Sequence, residues 1–150
     1  MDMMEIRRMV MAQMAQTIQG ANYVKGTITT DSADRYTISF GKTFASYLYY
    51  IEMTDDSKTA LHNSGQNTAR MYAFLGIYPK NKFNGNDYPY NSYASYRVNP
   101  STDEMSLSTS AQAYAIDGSS ITMNNTAITA SGANNMYKGY SYNYYIVEIK

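Results

Sequence analysis

His62 is the single histidine among 150 residues, and there is no cysteine. A disulfide, a thiolate nucleophile and a cysteine metal site are thereby excluded, and a histidine-based zinc site fails on number. Ser64 lies two residues from His62, the one place where a hydroxyl and a base stand close in sequence. The surrounding segment is polar and has no Cys or Glu beside His62, which reads as a surface histidine. Carboxylates are adjacent at Asp55-Asp56 and Asp103-Glu104. Neighbours on a strand point to opposite faces, so neither pair makes an acid–base couple by itself, and both read as solvated turn residues. Asp55 and Asp56 with a distant carbonyl are compatible with calcium but do not specify it. The run Gly132 to Asn135 opens no helix and is no phosphate cradle. The expectation is a protein with no enzymatic activity, no cofactor and no metal.

Recognition is better supplied. The chain has 17 Tyr and no Trp. Its rings crowd into Asn84 to Arg97 and Met136 to Tyr145, among Asn, Ser and Gly. Tyr offers a broad apolar face and a polar tip with few torsions to freeze, a mixture suited to a contact surface. In alternating strands, Tyr36, Tyr49, Tyr72, Tyr144 and Tyr145 are expected to be structural. The loop tyrosines differ, because nothing there requires burial. Tyr88, Tyr90, Tyr93 and Tyr96, with Asn84, Asn86 and Asp87, form the candidate ligand-binding set. An aromatic face beside amides and a carboxylate can stack on a sugar ring and bond its hydroxyls. The competing reading is that these tyrosines join neighbouring subunits.

Charge narrows the partners. There are 12 basic and 12 acidic residues, a formal net charge of zero. No Lys/Arg cluster exists to hold a polyanion, so nucleic acid is not expected. No run of about 18 apolar residues predicts a membrane span. Asp2, Glu5, Arg7 and Arg8 come early, and Gln13, Gln16 and Gln19 interrupt any apolar core of a signal peptide, so the segment is expected to be retained.

The elements that must position these groups follow from periodicity. Asp2 to Gln19 reads as one amphipathic helix, with Met3, Met4, Val10, Met11, Met14, Ala15 and Ile18 on one stripe and Arg7 as its polar intruder. Either the stripe packs on its own β domain, or Met4, Val10, Met11, Met14 and Ile18 assemble with helices of other copies. From residue 23 the period becomes two. Strands are expected at Thr27–Thr30, Tyr36–Phe40, Phe44–Met53, Ala69–Tyr78, Tyr93–Val98, Ala111–Ile116, Ser119–Met123, Thr126–Ala130 and Tyr140–Ile149. Asp117-Gly118 and Asn124-Asn125 are the expected hairpin turns, and Thr54 to Thr68 and Pro79 to Ser92 the expected loops. The fold class is mainly β: an antiparallel β-sandwich or jelly roll over residues 20–150, preceded by the helix over residues 1–19.

The helix with Glu-Ile-Arg-Arg at Glu5 to Arg8 resembles the start of small phage and prophage structural proteins of gut Firmicutes. The stretch from Ile121 to Ile149, a polar hairpin before a Tyr-rich closing strand, resembles their C-terminal end. The resemblance covers the helix and the last thirty or so residues. It implies a tail-tip, baseplate or fibre-head protein, made in the bacterial cytoplasm and located in the virion. Such proteins are commonly homotrimers that contact other virion proteins and a host-surface glycan or protein. The alternative within the same resemblance is a purely structural subunit for capsid decoration, neck or tail assembly. No catalytic residue carries over.

Overall fold

The computed structural model describes residues 2–17, 22–78, 82–83, 86–87, 94–108, 113–130 and 135–149, with backbone alone at 13–17, 82–83, 86–87, 94–95, 107–108 and 113–114. In chain order the elements are α1 (Met3–Thr17), β1 (Tyr23–Thr29), β2 (Arg35–Ser39), β3 (Tyr47–Met53), α2 (Asp55–His62), β4 (Arg70–Tyr78), β5 (Lys82–Phe83), β6 (Asn86–Asp87), β7 (Ala94–Val98), β8 (Met105–Ser108), β9 (Ala113–Ile116), β10 (Ser120–Thr126), β11 (Met136–Tyr137) and β12 (Ser141–Glu148). Six strands form an antiparallel sheet in the order β1-β12-β3-β4-β7-β8. A smaller sheet is centred on β10, with β2 on one side and β9 and then β11 on the other. The β10–β11 pair is parallel and short; the others are antiparallel. The protein is thus a mainly β, two-sheet sandwich with an N-terminal helix. Among the described residues no helix is long and apolar enough to cross a membrane.

Alternation builds the core. Tyr47, Tyr49, Ile51 and Met53 of β3 face inward with Phe74 of β4 and Tyr142 and Ile146 of β12. They pack in one cluster with Ile38, Ile121 and Met123 of the small sheet. Tyrosine hydroxyls tie the layers. Tyr47 donates to the carbonyl of Asp117 at 2.6 Å, and the Tyr137 hydroxyl accepts the N–H of Met71 at 2.7 Å. Tyr142 accepts the N–H of Tyr137 at 3.0 Å. A buried ring thus keeps its polar tip satisfied, which is the condition for placing Tyr in a core. Tyr137 and Tyr142 belong to the stretch that composition marked as a contact surface. Both are fully buried, so that part of the expectation is corrected. Tyr49 and Tyr72 are buried, and Tyr36, Tyr144 and Tyr145 are partly buried against the core, as structural tyrosines should be.

Several local expectations are also corrected. Thr54 to Thr68 is not all loop: α2 occupies its first half. The Thr54 hydroxyl accepts the N–H of Ser57, Asp55 and Asp56 fill the first turn where the helix dipole favours acids, and Leu61 is fully buried. Asn124-Asn125 is not a turn. β10 runs straight through it to Thr126, because the buried Asn125 donates its amide to the carbonyls of Asp31 and Ala33. The strand expected over Thr126–Ala130 is therefore absent beyond Thr126. β3 begins at Tyr47, three residues later than expected, and β8 was not anticipated.

Candidate functional site

α1 docks on the outer face of the large sheet, the face away from the small one. Antiparallel register places Asn143, Glu52, Ala73 and Tyr96 in one row there, with Tyr145, Tyr50 and Leu75 in the next. The helix lowers Met4, Arg7 and Met11 toward these rows, the spacing of one helical face. Arg7 is 6% exposed. Its Nη1 lies 3.3 Å from Glu52 Oε1, and it donates to the Tyr50 hydroxyl at 3.4 Å. The guanidinium carbon sits 4.8 Å from the centre of the Tyr96 ring, a cation–π distance. Lys58 reaches the same Glu52 oxygen from α2 at 2.8 Å and lies 5.3 Å from the Tyr72 ring centre. Outside this cluster, Arg8 pairs with Asp55 at 2.9 Å in solvent.

One carboxylate thus serves two buried cations. Burial lowers the Lys58 pKa from its ordinary value, outweighing the support of Glu52. The pairing therefore fixes where α1 sits rather than adding much net stability. Removing the shared partner is different, because buried Arg7 loses its carboxylate and Lys58 keeps only the exposed Asp55 at 3.8 Å. Glu52→Gln is expected to weaken docking of α1 by about 2 kcal/mol, a factor of about 30 in the docked population. Breaking such a pair in a closed core costs more, but α1 can leave without opening the sheet. Amide exchange of α1 should accelerate accordingly while β3 and β12 stay protected.

The helix has a second apolar side. Met3, Ile6, Met9 and Val10 are 42%, 47%, 57% and 51% exposed. The expectation of a single stripe is corrected: Met4 and Met11 pack on the chain's own sheet, whereas Val10 lies on the exposed side. The backbone of Met14 is helical; its side chain and Ile18 lie outside the described residues. Ile6 and Met9 escaped the sequence reading because it looked for one face. The neighbouring sheet surface continues the apolar character. Val147, Leu48 and Ile77 form a row on the outer face, each partly exposed.

Of the expected ligand-binding set, Asn84, Tyr88, Tyr90 and Tyr93 lie outside the described residues. Asn86 and Asp87 are described by backbone only, in β6, which pairs with β5. Tyr96 is partly buried beneath Arg7. His62 ends α2, exposed, with Nδ1 3.3 Å from Asp103 Oδ1. Ser64 donates its hydroxyl to the Leu61 carbonyl at 2.6 Å. Asp55 and Asp56 stand in the first turn of α2. Among the described residues no group of three or more His, Cys, Asp or Glu is placed to hold a metal.

Sequence reasoning missed a pocket of about 390 Å³ at the end of the small sheet, lined by Asp34, Asn124, Asn125, Thr126, Asn135 and Lys138. The Lys138 ammonium lies 2.7 Å from Asp34 and holds its carboxyl below the usual range. Comparison with family models, curated proteins and solved structures finds no match to the chain.

Proposed function

We propose that this chain is a non-enzymatic, virion-associated subunit of the phage or prophage tail or fibre type. It is held in its assembly through α1 and applies its β-sandwich to a host-surface glycan or protein. The observation that carries the reading is the two-sided helix. One side of α1 is committed to its own sheet through Met4, Arg7 and Met11, and the other leaves four large apolar side chains in solvent. Exposed apolar side chains grouped in this way mark a protein contact, and the helices of other copies offer an apolar partner of the same kind. The resemblance to phage structural proteins supplies the setting and favours a trimer.

A purely structural subunit is the second reading. The partly exposed row Val147–Leu48–Ile77 favours it, because a flat aliphatic sheet face suits a protein neighbour better than a sugar.

The test is solution mass by light scattering for the wild-type chain and for Ile6→Glu with Val10→Glu. Each glutamate places an unpaired charge in the expected contact and should weaken self-association by at least about tenfold. The expected result is an oligomer that becomes a monomer, with unchanged circular dichroism because the docked side of α1 is untouched. A wild-type monomer at high concentration counts against the reading. Deleting residues 1–19 is a poorer test, since it also strips Arg7 from Glu52.

A further inference from the structure

β1 is an edge of the large sheet, paired on one side with β12. Their ladder runs from Tyr23↔Val147 to Thr29↔Ser141 without a bulge. Just beyond its two ends, the N–H of Glu148 donates to the Asn22 carbonyl at 2.9 Å and the N–H of Thr30 to the Tyr140 carbonyl at 3.0 Å. Bonding alternates along an antiparallel ladder, so Val24, Gly26 and Ile28, in step with Asn22 and Thr30, bond to β12. Tyr23, Lys25, Thr27 and Thr29 therefore turn their N–H and C=O groups away from the sheet. All four residues are exposed, and no other described segment bonds to their backbone. Such an edge is a template for another strand, and proteins commonly blunt it with bulges, proline or short length. β1 is seven residues long, regular in register and free of proline, with Lys25 as its one charge. The opposite edge, β8, has four residues.

The sequence of the edge selects its partner. Antiparallel pairing of two β1 strands about a two-fold axis at Gly26 is the one register that uses the whole strand. It sets Tyr23 opposite the partner's Thr29, Lys25 opposite the partner's Thr27 and Val24 opposite the partner's Ile28. Every outward N–H and C=O then finds a mate. Lysine guards an edge best where it meets its own copy, as it would in a register centred on Lys25. In the register centred on Gly26 it faces threonine instead. Val24 and Ile28, partly buried against the core, gain aliphatic neighbours on that face. The central glycines form a non-hydrogen-bonded pair, where the strands come closest, about 4.5 Å between Cα atoms. Gly26 carries no Cβ, and the end of the Tyr144 ring lies over it. The Tyr144 hydroxyl has no hydrogen-bond partner among the described residues, and the two-fold brings its copy to the same axis. An unrelated extended segment would match the backbone but not these pairs.

We propose that β1 is a docking edge for a second copy of this chain: two large sheets join by antiparallel pairing of Tyr23–Thr29, centred on Gly26. The contact is isologous and closes on itself, so it consumes the edge and leads to no further copies. It uses no residue of α1 and does not rest on the function proposed above. One strand pair buries less than the roughly 1,200 Å² of a stable complex, so the pairing is weak, with a Kd of about 0.1 mM or above. In dilute solution this contact is open.

The experiment is ¹H–¹⁵N NMR with amide exchange on the full chain carrying Ile6→Glu and Val10→Glu, which removes any contact through α1, from about 0.05 to about 2 mM. The expected result follows strand parity. Val24, Gly26 and Ile28 are protected at every concentration, whereas Tyr23, Lys25, Thr27 and Thr29 shift saturably and gain protection only as concentration rises. Thr27→Glu sets a carboxylate opposite the partner's Lys25 and should tighten the pairing; Thr27→Lys sets an ammonium there and should loosen it. Both variants lose the Thr27 hydroxyl's bond to Asn143 at 2.6 Å, so the difference between them, about tenfold in Kd, reads the register. Thr27→Pro deletes one outward N–H, leaves the β12 ladder intact and should abolish pairing in a folded chain. Outward amides that exchange at one rate at all concentrations overturn the proposal, as does equal association of the Glu and Lys variants. Growth beyond a dimer overturns the closed two-fold. Peptides identify the occupant: if a scrambled version of residues 22–30 protects the outward amides as well as the native-sequence peptide, the edge accepts any extended chain, and a second copy is not its specific partner.

Discussion

Gly76→Ala is expected to destabilise the protein by about 3 kcal/mol, the upper end of the usual cost of overpacking a core. Gly76 stands directly opposite Tyr49 across the β3–β4 pair. The absence of a Cβ lets the Tyr49 ring lie over the neighbouring strand, and a Cβ built there would overlap the end of that ring. Tyr49 is 1% exposed and has no room to withdraw, with Tyr47 and its ring stack beside it. The same pairing recurs at Gly26 and Tyr144 between β1 and β12, where an added Cβ would come within 2.5 Å of the Tyr144 hydroxyl. There β1 is the edge strand and Tyr144 is partly exposed, so the ring can swing outward. Gly26→Ala should therefore cost about 1 kcal/mol or less, part of it offset by the stiffer unfolded chain. In a domain of this size the two variants should differ in thermal midpoint by roughly 4–8 °C. Calorimetry of both decides: equal losses would mean that ring confinement is not what the glycines serve.

Much of this architecture was legible because strands with one buried face must alternate. Tyr47, Tyr49, Ile51 and Met53 share one face of β3, and Tyr142, Tyr144 and Ile146 the same face of β12, as the period of two requires. Asp117-Gly118 was legible because the turn's chemistry is local: Asp117 Oδ1 accepts the N–H groups of Ser119 and Ser120, each at 2.8 Å. What failed had its cause elsewhere in the chain. Asn124-Asn125 carries turn chemistry, but Asn125 is held in β10 by carbonyls more than 90 positions away. α2 shows one apolar anchor, Leu61, in a polar run; its signal was the Thr54 cap followed by two acids, a cue that a search for apolar periodicity passes over. Arg7 was visible as an intruder on a Met stripe, yet nothing in the sequence names Glu52 as its partner. The pocket is the extreme case. Its rim joins Asp34 to Lys138, 104 positions apart, so no spacing could disclose it.

Alkali should unfold this protein abruptly, beginning near pH 10 and finishing by about pH 12. Burial raises the hydroxyl pKa of Tyr47, Tyr50, Tyr137 and Tyr142, in the case of Tyr137 to about 12. The Asp117 carboxylate adds to the effect at Tyr47, and Glu52 adds to it at Tyr50 against the opposing Arg7. Unfolded tyrosine ionises near pH 10. Between that value and the folded one, the native state keeps protons that the unfolded state has released. Stability is therefore intact below about pH 10 and falls as pH rises through the window. Each such ring removes about 1.4 kcal/mol per pH unit, and four together about 5.5 kcal/mol per unit. A domain stable by about 5–15 kcal/mol cannot survive more than a unit or two of that slope. Lys58 works in the opposite sense, since its lowered pKa favours the fold as its proton leaves, but it is one group against four. Tyrosinate absorbance and near-ultraviolet circular dichroism followed in parallel give the test. A cooperative step is expected, in which the buried rings ionise and the dichroism collapses together. Tyr47→Phe, which deletes one of the four hydroxyls, should make the stability–pH slope shallower by about 1.4 kcal/mol per unit. A gradual titration of every tyrosine with the dichroism preserved would mean that these rings reach solvent, and the core built on them would be wrong.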